Sequence, residues 1–109
     1  MTRTGLYKFR LYIAAGSPKS QEAIANLYDL CRIHLPDGHV IEIVDVFQEP
    51  ARAMADRVIM TPTLIKLSPA PIRRIVGTLS ERAPVLQALG LWNHGTTQRK
   101  TDDTRKDQG

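Results

Sequence analysis

A single cysteine, Cys31, is all the thiol this 109-residue chain contains. It excludes an internal disulfide and every C-x-x-C motif, redox or zinc-binding. Aromatic residues are scarce, at 6% of the chain. The 15 Lys and Arg are scattered among 11 Asp and Glu, so no basic stripe interleaved with aromatics marks a nucleic-acid surface, and no nucleic-acid partner is expected. No apolar run reaches eighteen residues, so no spanning helix and no membrane partner are expected. The opening MTRTGLYKFRLY alternates apolar and charged residues where a signal peptide carries an apolar block. These features lead us to expect a cytoplasmic protein. With 42% hydrophobic residues, the chain suits one domain able to bury its own core.

What is present reads as an alternation of strands and helices. Residues 6–15, LYKFRLYIAA, place Tyr7, Phe9, Leu11 and Ile13 on one face and Lys8 and Arg10 on the other, the period of a strand. Ser17 is a good helix cap and Pro18 fits the first helical position. Ala23, Ile24, Leu27, Leu30 and Cys31 then recur at helical spacing, which predicts an amphipathic helix over 18–33. PDG at 36–38 is a turn. The β-branched run 39–46, HVIEIVDV, reads as a strand covered on both faces. A short helix or turn is expected over 49–59, then strands over 63–68 and 72–79. The tight SPAP link at 68–71 makes those two antiparallel neighbours. A last helix spans 80–92, with Val85, Leu86, Leu89 and Trp92 on one face. Pro84 sits harmlessly if this helix begins near Ala83 and removes a backbone bond if Ser80 caps it. The polar stretch 93–109, with four basic and three acidic residues and no apolar spacing, is expected to be a disordered tail to a domain covering 1–92.

The order βαβ, short helix, ββα is that of the thioredoxin fold. Met60-Thr61-Pro62-Thr63 falls where that fold opens its third strand with a cis-proline, so Pro62 is a cis candidate shaping the strand entrance. The redox chemistry of that fold is missing: Ser17-Pro18-Lys19-Ser20 stands where C-x-x-C would be, and two hydroxyls form no disulfide. Cys31, on the apolar face of its helix, reads as a buried structural cysteine. GSPKS lacks the spacing of a phosphate loop. Cys31, His34 and His39 form no metal pattern. No convergent carboxylate pair is present. The residues therefore point to binding and not to catalysis, with no cofactor and no metal. The alternative is a glutathione- or thiol-ligand-binding domain using Ser17 and the Pro62 loop.

LYIAAGSPKS (11–20), IVDVFQEP (43–50) and MTPTLIKLSPAPIRRIVGTLSER (60–82) carry a more specific likeness. In one register over roughly residues 6–92 the chain resembles the KaiB family of circadian clock proteins. That resemblance implies a non-enzymatic regulator that binds a KaiC-like ATPase ring and modulates its phosphorylation or signalling output, circadian or stress-related. It also implies two folds, one thioredoxin-like and one tetrameric with a rearranged C-terminal half. The tetrameric ground-state fold is thus the alternative architecture, and self-association is implied with it. A SasA-like histidine kinase pathway is a second implied connection, and a detached SasA-type sensor domain differs only in partner.

The departures are informative. Ala88 and Gly90 replace the glycine and aspartate of the family's last helix, and alanine for glycine inside a helix is worth up to about 1 kcal/mol. Gly90 also suits a C-cap. Both changes favour the thioredoxin-like state. Glu22 reverses a charge on the first helix, Thr78 replaces an aspartate and the acidic tail is absent, so the family's KaiA contact is the carry-over these changes weaken most. Lys66, Arg73 and Arg74 are retained; with Glu22 they are the candidate partner-contacting residues, the Arg pair suited to an acidic surface.

Overall fold

The computed structural model describes residues 6–91. Its elements are β1 (Tyr7–Ile13), α1 (Pro18–His34), β2 (His39–Asp45), α2 (Pro50–Ala55), β3 (Thr63–Ser68), β4 (Arg73–Val76) and α3 (Arg82–Leu89). The fold is α/β and thioredoxin-like. Trp92 and the 93–109 stretch lie outside the described residues.

The four strands form one mixed sheet in the order β2-β1-β3-β4. β1 is central because its even and odd residues both find cover: Phe9, Leu11 and Ile13 on one face, Tyr12 on the other. It pairs in parallel with β2 and antiparallel with β3, in a register placing Leu11 beside Ile43 and Leu64.

Helices divide unequally between the faces. α1 and α3 cover the larger core, where Leu27, Leu30 and Cys31 meet Leu64, Val85, Leu86 and Leu89. The α1 cap forms as its residues dictate: Ser17 Oγ accepts the Ser20 amide at 3.2 Å. Arg82 Nη2 reaches Asp29 Oδ2 at 3.2 Å, joining α3 to α1. Asn26 Nδ2 donates to the Thr78 carbonyl at 2.9 Å and fixes the approach to α3. α3 starts at Arg82, so Pro84 stands third in the helix, inside the first turn, where no intrahelical acceptor exists to be lost. Gly90 ends the helix at φ 78°, a left-handed conformation that glycine adopts without penalty.

Among the described residues, the opposite face carries only the six-residue α2 and a small core of Tyr12, Val44, Ala53 and Ile65. This corrects the reading of 39–46 as a strand covered on both faces. β2 is a sheet edge, Val44 is its one buried residue and Val40 is exposed. An apolar run does not reveal that the covering helix is too short to span it.

Candidate partner-docking site

The connection from β2 to β3, which contains α2, holds its polar groups against the sheet and its large apolar groups in solvent. Phe47 is 72% exposed, Met54 77%, Ile59 92% and Met60 61%. Scattered exposed apolar residues are ordinary, but several large ones on one short connection make it the candidate docking surface. Ala53 is the only buried residue of α2.

A polar network holds α2 in place instead. Arg10 Nε meets Glu42 Oε1 at 2.8 Å and Arg10 Nη1 meets Asp56 Oδ2 at 3.0 Å. Arg52 Nη2 reaches Glu42 Oε2 at 2.7 Å. Tyr12, wholly buried, donates its hydroxyl to Asp56 Oδ2 at 2.5 Å, with the Arg52 carbonyl 3.1 Å away. The Tyr12 hydroxyl, and then Arg10, hold the Asp56 carboxyl below the usual carboxylate range. Burial, and then the same carboxylate, raise the Tyr12 hydroxyl above its ordinary value. Arg10 and Arg52 lower Glu42 in the same way. Exposed ion pairs contribute little singly, but a shared network around a buried hydroxyl contributes more.

The end of α2 is held from a second strand. Arg74 donates to the Arg57 carbonyl at 3.1 Å and also to the Asp56 carbonyl. Arg57 itself turns the chain at φ 56°, a conformation unusual for a residue with a side chain. Beyond it, the Thr61–Pro62 peptide bond is cis. Pro62 is buried, and its carbonyl accepts the Gly77 amide at 2.9 Å. Exposed Ile59 and Met60 therefore precede a corner fixed to both β3 and β4.

The candidate contact residues do not form one patch. Lys66 is only 4% exposed, its ammonium 5.7 Å from the centre of the Tyr7 ring. Burial, and then the nearby Arg73, lower its pKa. Arg73 lies opposite Lys66 on the neighbouring strand. Arg74 belongs to the other face, where it serves α2. Glu22 is exposed on the second turn of α1, a different element. Ala88 is half-buried beside β4, and Gly90 is the cap already described. Sequence reasoning missed Phe47, Met54 and Ile59. Their signal was available as an apolar residue without a periodic partner in the 49–59 segment and just before it.

Ser17 Oγ is occupied as the α1 cap. Ser20 Oγ is fully buried and accepts the Ala14 amide at 3.0 Å. Cys31 is fully buried, and burial pushes its thiol up to about 11. Among the described residues, no group of three or more His, Cys, Asp or Glu is placed to hold a metal ion. No described helix is long and apolar enough to cross a membrane.

Comparison with known proteins supplies the lineage. The KaiB domain family model matches residues 10–91. The chain is 43% identical over 94 residues to the circadian clock protein KaiB3 of Synechocystis sp., covering 86% of this chain and 92% of that protein. It is 36% identical over 85 residues to the circadian clock oscillator protein KaiB of Synechococcus elongatus, covering 78% and 83%. Among solved structures, the N-terminal domain of Synechococcus elongatus SasA superposes with a TM-score of 0.68 at 17% identity, over 89% of this chain and 94% of that one. The Deadhead thioredoxin of Drosophila melanogaster does so with 0.61 at 16%, over 77% and 80%. Those two likenesses speak to fold alone. With the family model spanning all but the first four described residues, the chain belongs to the KaiB family.

Proposed function

We propose that this protein is a non-enzymatic, cytoplasmic clock-type regulator that docks on a KaiC-like ATPase ring and modulates its phosphorylation or signalling output. One observation carries the reading. The connection between β2 and β3 exposes Phe47, Met54, Ile59 and Met60 while a polar network fixes α2 behind them. Such a surface supplies apolar anchors on a preorganised support, the arrangement that binding energy favours. Arg73, exposed on β4, adds a cation able to steer toward an acidic partner. On this reading a SasA-like kinase would compete for the same ring, a partner relation carried over from the family. The charge reversal at Glu22 argues against carrying over a KaiA contact.

The test is co-elution with a purified KaiC-like ATPase from the same organism, with and without ATP. Ile59→Asp and Met60→Asp place charge on residues that contribute nothing to the core, so both variants keep the parent melting temperature. Binding by the parent, lost in both, supports the reading. Binding retained by both variants, or absent from the parent in every nucleotide state, overturns it.

A further inference from the structure

Among the described residues β4 is one of the two edges of the sheet, opposite β2, and its chemistry is uneven along its length. The Gly77 amide bonds the Pro62 carbonyl, and Pro62 stands directly across from Gly77 in the β3–β4 register. Hydrogen-bonded and non-bonded pairs alternate in an antiparallel ladder. Leu64 with Ile75 and Lys66 with Arg73 are therefore bonded pairs, while Thr63 with Val76 and Ile65 with Arg74 are not. The backbone groups of Arg74 and Val76 consequently point outward, free to receive another strand.

The side chains along this edge define what would fit. Ile75 opens into a groove of about 260 Å³ running between β4 and α3, lined by Leu79, Pro84, Val85 and Ala88 among others. Val76 is exposed and also borders the groove. At the other end of the strand, Lys66 and Arg73 are directly opposed cations on one face. Like charges directly opposite destabilise a sheet. Neither has an ion-pair partner among the described residues. Arg74, by contrast, already serves the α2 carbonyls.

We propose that the β4 edge is a strand-addition site for an extended acidic segment of a partner protein. The segment pairs antiparallel and reads apolar, apolar, any residue, acid, from across Val76 to across Arg73. The apolar pair meets Val76 and the Ile75 groove, and the carboxylate neutralises the Arg73–Lys66 pair. Backbone bonds supply affinity and the alternate side chains supply specificity, as in other cases of strand addition. A second copy of this chain is the wrong occupant, because its own β4, Arg73-Arg74-Ile75-Val76, offers no acid to this cation pair and adds two more arginines to the edge. The inference goes beyond the ATPase-docking reading, and its assay contains no ATPase, so either can fail alone.

The probe is a synthetic hexapeptide with a Val-Val-Thr-Glu core, added to the full chain. Amide hydrogen exchange and fluorescence anisotropy are the readouts. Strand addition protects the Arg74 and Val76 amides. Methylating the peptide nitrogens of the first valine and the threonine, which face the edge, abolishes binding. Methylating the second valine and the glutamate, which face away, does not. A lysine in place of the glutamate weakens binding about tenfold or more, and Arg73→Glu restores that peptide. These methylated peptides leave the protein untouched, so misfolding of a variant cannot mimic the result. Binding without protection at Arg74 and Val76, equal binding of both methylated peptides, or dimerisation of the chain in sedimentation without peptide would overturn the proposal.

Discussion

Replacing Tyr12 with phenylalanine tests whether polar bonds hold α2 to the sheet. The ring is wholly buried and its packing is kept, so the change removes the hydroxyl and little else. That hydroxyl donates to Asp56 Oδ2 at 2.5 Å. A hydrogen bond to a charged group contributes about 1.5–3 kcal/mol. Asp56 keeps Arg10 at 3.0 Å, and its side chain is 29% exposed, so water can replace part of what is lost. The lower end applies, about 1.5 kcal/mol. For a domain of this size that lowers the melting temperature by about 6–12 °C. Asp56→Asn should couple to it, the two losses falling short of additive by about 1 kcal/mol. The pH dependence has a definite sign. Asp56 is depressed in the folded state, so its stabilisation is full above the ordinary carboxylate value of about 3.9 and is lost as pH falls through the lower folded value. The gap between parent and Tyr12→Phe should therefore be widest near neutrality and close in acid. Urea unfolding followed by circular dichroism, stepped downward in pH, measures both quantities. A variant melting within about one degree of the parent, or strict additivity with Asp56→Asn, would refute the network account.

Other expectations follow from single features. Cys31 is fully buried, with its thiol pushed up to about 11, so iodoacetamide at mildly alkaline pH should leave the folded chain unlabelled and label it fully in urea; labelling at the unfolded rate in buffer would contradict the packing. The double change Ala88→Gly/Gly90→Asp introduces glycine inside α3 and a side chain at the left-handed cap. It should destabilise the thioredoxin-like state by about 1–2 kcal/mol. Size-exclusion chromatography should then show a tetramer for the variant and none for the parent; a parent that is itself tetrameric would sink the idea that these two residues favour the present fold.

The elements that sequence determined are those where one residue's chemistry leaves few alternatives. Ser17 followed by Pro18 favoured a helix start, and the 3.6 period from Ala23 to Cys31 fixed its buried face. The alternation at Tyr7, Phe9, Leu11 and Ile13 fixed which face of β1 the larger core would use. Gly90 marked a helix end. Family membership was legible too, because the Pro62–Arg82 segment is long and the structure keeps it in a single hairpin and helix approach.

Tertiary structure decided what depends on neighbours far along the chain. Whether β2 was central or an edge depended on the order β2-β1-β3-β4 and on the length of α2, neither of which its own apolar residues encode. Lys66 and Arg73 read as surface cations, yet pairing across β3 and β4 buried one beneath Tyr7 and left the other exposed. Arg73 and Arg74 are adjacent in sequence but separate at once onto opposite faces, because side chains alternate along a strand. Tyr12 and Arg10, Glu42, and Arg52 with Asp56 come from three stretches that periodicity cannot connect. Their network forms only once β1, β2 and α2 are packed, since hydrogen bonds need geometry as well as composition. It is that packing which turns Phe47, Met54, Ile59 and Met60 outward.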